Sequence, residues 1–310
     1  MNEKRATLLD AQIAKMESVW TAPVILGPLL EMMRLPLDKV RVEKVVDMIS
    51  RDSGIAAQCL RLANSPLFGR RTVETIRSAI MALGLAKIRS LLFGLCMHQT
   101  VPKSKWVLDP NAFWRHSLGC ALVTQRMAQR VGYEEPEKAY LAGLIHDIGF
   151  LVNSVLYTAE LGECLKQSVA NQCPLHVSEQ RILGFTHEDA GRLLCKRWGM
   201  SEELIEVAGW HHQVDSASSA GPLVCLVHLG DLLCRLRNLG YGYSEILAVT
   251  MAEDAAWKHL VPAYPALADV DLVPFALDID GSMEQIATLV DSVFSPVPYA
   301  PMHHAAAPSV

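Results

Sequence analysis

The sequence predicts an all-α protein, an N-terminal helical lobe followed by a second helical bundle. Three observations predict it. Apolar residues recur at three-and-four spacing over most of the first 240 residues. Capping residues, Gly and Pro divide that pattern into helix-length pieces. No stretch shows a strong strand pattern, and no internal repeat is present.

The elements follow in order. Residues 4–19 form a first amphipathic helix, and Pro23 and Pro28 punctuate Val24–Met33. Asp38 is placed to cap a helix over Val40–Ser50, where Val42, Val45, Val46 and Ile49 keep the helical spacing. Asp52 and Ser53 offer the next cap, for Ile55–Ala63. Asn64-Ser65-Pro66 and Gly69 mark a loop. Thr72–Leu83 and Leu85–His98 are two more helices, broken at Gly84. A join lies near Val101–Asp109. Asp109-Pro110 then starts a helix that ends at Gly132, with a cap residue followed by Pro at the first helical position. One helix is predicted from Glu137 to about Tyr157, then two shorter ones within 158–185. Thr186-His187-Glu188-Asp189 matches a capping box, which places His187 in the first turn of a helix ending near Trp198-Gly199. Further helices run from Ser201 to Trp210-His211-His212 and over Pro222–Arg237, with weaker helical signal at Tyr243–Ala256 and Met283–Phe294. The resulting division is a lobe at 1–105, a bundle at 106–240, a C-terminal extension at 241–294 and a flexible tail at 295–310, which carries His303-His304.

Composition narrows the function classes. The 310 residues are 51% hydrophobic and 20% charged, enough to bury a core and to exclude wholesale disorder. No apolar run reaches the roughly 18 residues of a membrane span, and nothing near Met1 resembles a signal peptide. The eight cysteines are scattered without a Cys-x-x-Cys pair and read as buried thiols in a reducing cytoplasm. Residues 1–105 hold 16 Lys and Arg against 9 Asp and Glu, whereas the remaining 205 hold 12 against 24. The basic residues are spread out and not interleaved with aromatics. This reads as two differently decorated halves, so neither a membrane nor a nucleic acid is expected as partner.

The chemistry concentrates at Gly143-Leu144-Ile145-His146-Asp147-Ile148-Gly149. An imidazole beside a carboxylate is a ligand pair suited to a divalent first-row metal. Side by side on one helix they diverge by about 100°, yet both reach one ion if the helix edge faces it. His116 precedes the pair, and His187, His211, His212 and Asp231 follow, each in or beside a predicted helix. A carboxylate can bridge two ions, and such an assembly can acidify a bound water and hold a phosphoryl group. Each element is weak alone, since a single His is more often a core or helix-end residue. Asp231, within Val-His-Leu-Gly-Asp-Leu-Leu, is harder to dismiss because an unpaired buried charge is costly. Trp114, Trp198 and Trp210 read as core. No phosphate-binding Gly-rich loop, nucleophile elbow or zinc-finger spacing is present.

The order His116, His146-Asp147, Asp231 resembles the His…His-Asp…Asp pattern of the HD superfamily of metal-dependent phosphohydrolases. The surrounding text resembles the HDOD family, the HD-related output domains of bacterial signalling proteins. The matching segments are Ile49–Ile55, Leu60–Gly69, Ala79–Gly84, Phe113–Ser117, His187–Gly191, Arg197–Met200 and His211-His212. The resemblance covers roughly residues 20–235 and implies an N-terminal helical lobe followed by an HD-like bundle. It implies one metal position at His116, His146, Asp147 and Asp231, and a second at Asp147, His187 and His211, with Asp147 bridging. His212 is then a further ligand or a support, and the metal is Fe, Mn or Zn, as one ion or two. Arg61, Asn64, Arg70 and Arg71 form a polar cluster read first as structural, with an inter-lobe or anion site as the alternative.

The family resemblance also implies a regulatory protein with a signalling protein as partner. A hydrolase acting on a nucleotide or phosphate ligand is the alternative. Two departures weigh against cyclic-di-GMP hydrolysis. Phe150 stands where HD-GYP phosphodiesterases carry Lys, and no Gly-Tyr-Pro follows His211-His212. Phe cannot supply the point charge that a lysine offers a phosphate.

Overall fold

Asp52 shows how local chemistry starts these helices. Its carboxylate accepts from the backbone N–H groups of Gly54 and Ile55 at 2.9 and 3.0 Å, which occupies donors left open at a helix start. The computed structural model describes residues 1, 3–19, 25–35, 37–64, 72–218, 221–237, 239–241, 251–267 and 288. Its first helices are α1 (Glu3–Val19), α2 (Leu26–Met33), α3 (Val42–Ser50), α4 (Ser53–Ala63), α5 (Ile76–Leu83) and α6 (Leu85–Thr100). Among the described residues there is no strand.

Asp38 does not cap α3 as expected. It lies in a short 3-10 turn, Leu37–Lys39, and α3 begins after Arg41. Thr75 caps α5 by accepting from the Ser78 N–H at 3.0 Å, and Gly84 takes φ 85° between α5 and α6. Val45, Met48 and Ile49 of α3 are buried. Asn64 latches the end of α4 to Val73, donating to the Val73 carbonyl and accepting from its N–H, each at 2.7 Å. The α6 helix packs on α2, α4 and α5 and also on the second half of the chain.

That half comprises α7 (Pro110–Val131), α8 (Pro136–Ile145), α9 (Gly149–Leu156), α10 (Thr158–Asn171), α11 (Leu175–Ile182), α12 (His187–Arg197), α13 (Glu202–Trp210), α14 (Gly221–Leu236) and α15 (Ala255–Ala263). Asp109 caps α7 through the Asn111 N–H at 2.9 Å, and Gly132 ends it at φ 77°. The helix expected over 137–157 is two helices. His146, Asp147 and Ile148 form a turn between α8 and α9, where Ile148, Phe150 and Leu151 donate three residues back, at 2.9, 3.0 and 3.1 Å. The His146 ring takes the Gly143 carbonyl at 2.7 Å, so that acceptor is diverted from regular helix bonding.

Both glycines of the motif serve close packing. A Cβ on Gly143 would lie 2.8 Å from the backbone of Ala121 and Cys120 in α7. A Cβ on Gly149 would lie 1.8 Å from the His187 carbonyl oxygen. The α8–α9 stretch, residues 136–156, is apolar enough by composition to cross a membrane, but its apolar window is 89% buried inside the bundle. The α1 helix, placed with the first lobe by sequence, packs on α9 and α12. In the extension, Asp254 caps α15 through the Ala256 N–H at 2.8 Å, a helix the periodicity did not single out. Most of Tyr243–Ala256, Met283–Phe294, the tail, Arg70 and Arg71 lie outside the described residues.

Candidate metal centre

Packing of α7, α8, α9, α12, α13 and α14 brings the sequence-predicted ligands together. His116 comes from the middle of α7 and Asp231 from α14. His146 and Asp147 sit in the α8–α9 turn, His187 is the first residue of α12, and His211 and His212 follow α13. They form two groups, His116–His146–Asp231 and Asp147–His187–His211–His212. Within each group the potential ligand atoms lie within 4.8 Å of one another. All are buried except His212, which is nearly so.

Asp147 joins the groups. Its Oδ2 lies 2.9 Å from His146 Nε2 and 3.4 Å from His116 Nε2. Its Oδ1 lies 3.1 Å from His187 Nε2 and 3.3 Å from His211 Nε2. Asp231 Oδ1 is 3.2 Å from His116 Nε2, and its Oδ2 accepts from Arg235 at 3.1 Å. His212 Nδ1 is 3.8 Å from Asp231.

The four inner histidines share one arrangement. Each Nδ1 faces an acceptor: the Leu239 carbonyl for His116 at 2.6 Å, Gly143 for His146 at 2.7 Å, Val207 for His211 at 3.0 Å, and the Glu179 carboxylate for His187 at 2.6 Å. A proton on each Nδ1 leaves Nε2 as a lone pair pointing inward. Such outer acceptors orient metal-ligating histidines and raise their basicity. Yet the Nε2 atoms of His116 and His146 are 3.2 Å apart, and those of His187 and His211 are 3.3 Å apart. Two lone pairs at that distance repel unless a cation, a metal ion or a proton, lies between them.

The electrostatics carry the same demand. Burial lowers the pKa of His116, but the Asp147 and Asp231 carboxylates outweigh it and raise it to about 9. Burial is likewise overcome at His187, where Glu179 and Asp147 raise it to about 10. Burial raises Asp147, but His146 and His187 hold its carboxyl well below the usual range. The centre therefore favours positive charge beside ionised carboxylates.

Several participants escaped the sequence reading. Glu179 is fully buried and accepts from the His187 N–H at 2.9 Å and from Asn153 at 2.9 Å. Its signal was a carboxylate four residues after Leu175 on the buried face of α11. His228 Nδ1 holds the His211 carbonyl at 2.6 Å, and Asp254 faces its Nε2 at 3.3 Å. The Phe150 ring stacks on His187 at 4.0 Å between centroids and 21° between planes. The space over the centre is a cavity of about 10 Å³ bordered by Phe150, Leu175, His176, His212, Arg235 and Tyr241. Arg61 is exposed at the end of α4, and Asn64 is engaged with backbone. Trp114 and Trp198 are buried, and Trp210 is half-buried beneath Arg192.

Comparison with known proteins agrees with the helical fold. A curated relative, an uncharacterized protein of Treponema pallidum (strain Nichols), is 24% identical over 249 residues. That alignment covers 79% of this chain, and the chain spans about half (48%) of the relative. An HDOD domain protein of unknown function from Geobacter sulfurreducens superposes with TM-score 0.79 at 25% identity, covering 95% of this chain and 99% of that one. A Shewanella amazonensis SB2B protein that carries a phosphohydrolase name has the same fold, with TM-score 0.68 at 23% identity over 91% and 98% of the two chains. The HDOD domain model matches residues 22–214, more than half of the sequence, and the chain belongs to the HDOD family.

Proposed function

We propose that this chain is a regulatory module of a signalling system, built around an HD-type centre that holds one or two divalent metal ions. The observation that carries the reading is the division of Asp147, with one oxygen toward His116 and His146 and the other toward His187 and His211. Facing Nε2 lone pairs and a fully buried carboxylate fit a cation better than they fit each other. His116, His146, Asp147 and Asp231 would hold one ion. Asp147, His187 and His211 would hold a second, with His212 supporting or ligating. Imidazole and carboxylate donors suit Fe, Mn or Zn.

The regulatory role is favoured by the closed approach. Ligand pockets usually measure about 300–1,000 Å³, against about 10 Å³ here. That is room for roughly one water. Phe150 covers His187 with an uncharged ring. The signal then passes through contacts with a partner protein. The second reading, a phosphohydrolase acting on a nucleotide-type substrate, is favoured by the complete donor set. Bound metal would supply Lewis acidity for it, and Phe150 and its neighbours would have to move to admit substrate.

Elemental analysis of protein purified without chelator or His-tag tests the centre. One to two equivalents of Fe, Mn or Zn are expected, and none in His146→Ala/Asp147→Ala. A folded wild type that takes up no supplied metal would sink the metal reading. Turnover of phosphoesters by the loaded protein, lost in the double variant, would replace the regulatory role with the hydrolytic one.

A further inference from the structure

Helix α12 starts at the centre and ends against the N-terminal part of the chain. His187 is its first residue. Beyond its last turn, the Arg34 guanidinium, just after α2, donates from Nε and Nη2 to the Trp198 carbonyl at 3.0 and 2.7 Å. Carbonyls at a helix end lack partners within the helix and need outside donors. The Trp198 indole N–H donates to Glu17 of α1 at 2.8 Å, and its ring meets Phe93 of α6 edge-on at 5.7 Å. Arg197 pairs with Glu17 at 2.7 Å. Gly199, at φ 61°, makes room, since a Cβ there would lie 3.0 Å from Arg34 Nε.

The two ends of α12 are packed differently. At the start, the His187 carbonyl lies so close to Gly149 that no Cβ fits, and Glu179 and Phe150 fix the ring. Beside Arg34 there is a cavity of about 190 Å³, lined by Leu30, Met33, Met200 and Leu204 among others. The joint has space to shift, whereas the ligand end is packed so closely that any displacement carried along α12 would disturb its contacts. Eleven residues of helix span about 16 Å and carry displacement of one end to the other as a rigid element.

We propose that Arg34 is a positioning residue: through α12 it sets the placement of His187 and so couples the N-terminal lobe to the Asp147–His187–His211 half of the centre. The coupling is reciprocal. A partner that loosens Arg34 weakens that half, and an ion bound there tightens the joint. The other half draws His116 and Asp231 from α7 and α14, where His116 is held by the Leu239 carbonyl and Asp231 by Arg235. The binding part of this inference rests on the metal reading above, but the placement part does not.

The test compares Arg34→Met, Arg34→Lys and Ile49→Val, the last loosening the lobe core on α3. In metal-free protein, amide exchange over residues 187–191 is expected to accelerate in Arg34→Met, less in Arg34→Lys, and not in Ile49→Val at matched stability. In a Zn²⁺ titration against a chromophoric chelator, one of two equivalents is expected to weaken about 10-fold or more in Arg34→Met, with partial recovery in Arg34→Lys. Unchanged exchange at 187–191, or equal acceleration by Ile49→Val, would overturn the coupling. A wild type that binds no Zn²⁺ would overturn the metal reading instead, while the exchange result still decides the coupling.

Discussion

At the residue scale, the centre depends on atoms that are absent as much as on ligands that are present. Gly149→Ala would drive a methyl into the His187 carbonyl, and both groups are backbone. A loss of at least about 2 kcal/mol is expected from such overpacking. Gly162 inside α10 is the control, since the nearest atom to its Cβ position, on the Val107 side chain, lies at an ordinary 3.9 Å. Gly162→Ala is expected to gain about 0.5–1 kcal/mol from helix propensity. Urea midpoints at unchanged slope read both, and a neutral Gly149→Ala would contradict the close approach. Glu179 gives a second prediction. Glu179→Gln keeps the volume but removes the charge facing His187 Nδ1 at 2.6 Å. Zn²⁺ affinity is expected to fall 10–100-fold with the fold retained. Unchanged affinity would show that Glu179 does not orient His187 for a metal.

At the element scale, cap chemistry separates correct from incorrect sequence assignments. Asp109 accepts from the Asn111 N–H, whereas Asp38 sits in a 3-10 turn away from the start of α3. Asp109→Ala is expected to cost about 1 kcal/mol, and Asp38→Ala close to nothing. Thermal unfolding of the two variants checks this, and equal losses would put Asp38 back at a helix cap. The starts at Asp109-Pro110 and Asp52 and the breaks at Gly84 and Gly132 were legible because each is decided within four residues. The break at His146–Ile148 was not. Its causes, the His146 ring on the Gly143 carbonyl and the contact of α9 with α12, include a partner nearly 40 residues away.

At the scale of the whole molecule, burial in both halves of the chain seals most of the thiols. Burial pushes Cys59, Cys195 and Cys225 up to about 12, so at pH 8 about one in ten thousand is thiolate. Cys173 is the half-buried exception. Alkylation of the native protein at pH 8, read by peptide mass spectrometry, is expected to mark Cys173 first and to leave those three unmodified until unfolding. Since their folded pKa lies above the unfolded value, protection is complete near neutrality and falls as pH rises toward about 12. Rapid labelling of Cys59 would mean that the α4 core is more open than described. The same burial explains why an apolar stretch at 136–156 belongs to a bundle interior.

The sequence by itself determined the helical class, most helix boundaries and the identity of the clustered groups, His116, His146, Asp147, His187, His211, His212 and Asp231. Periodicity and caps are local, and the ligand pattern rests on a few chemically distinctive residue types. Tertiary structure alone decided which Asp147 oxygen faces which histidine pair, that Glu179, Leu239 and Val207 fix the imidazole orientations, and that Arg34 reaches the far end of α12. Those depend on backbone carbonyls and on side chains up to 164 positions apart. Their partners are set by helix packing angles and distances, which no spacing along the chain encodes.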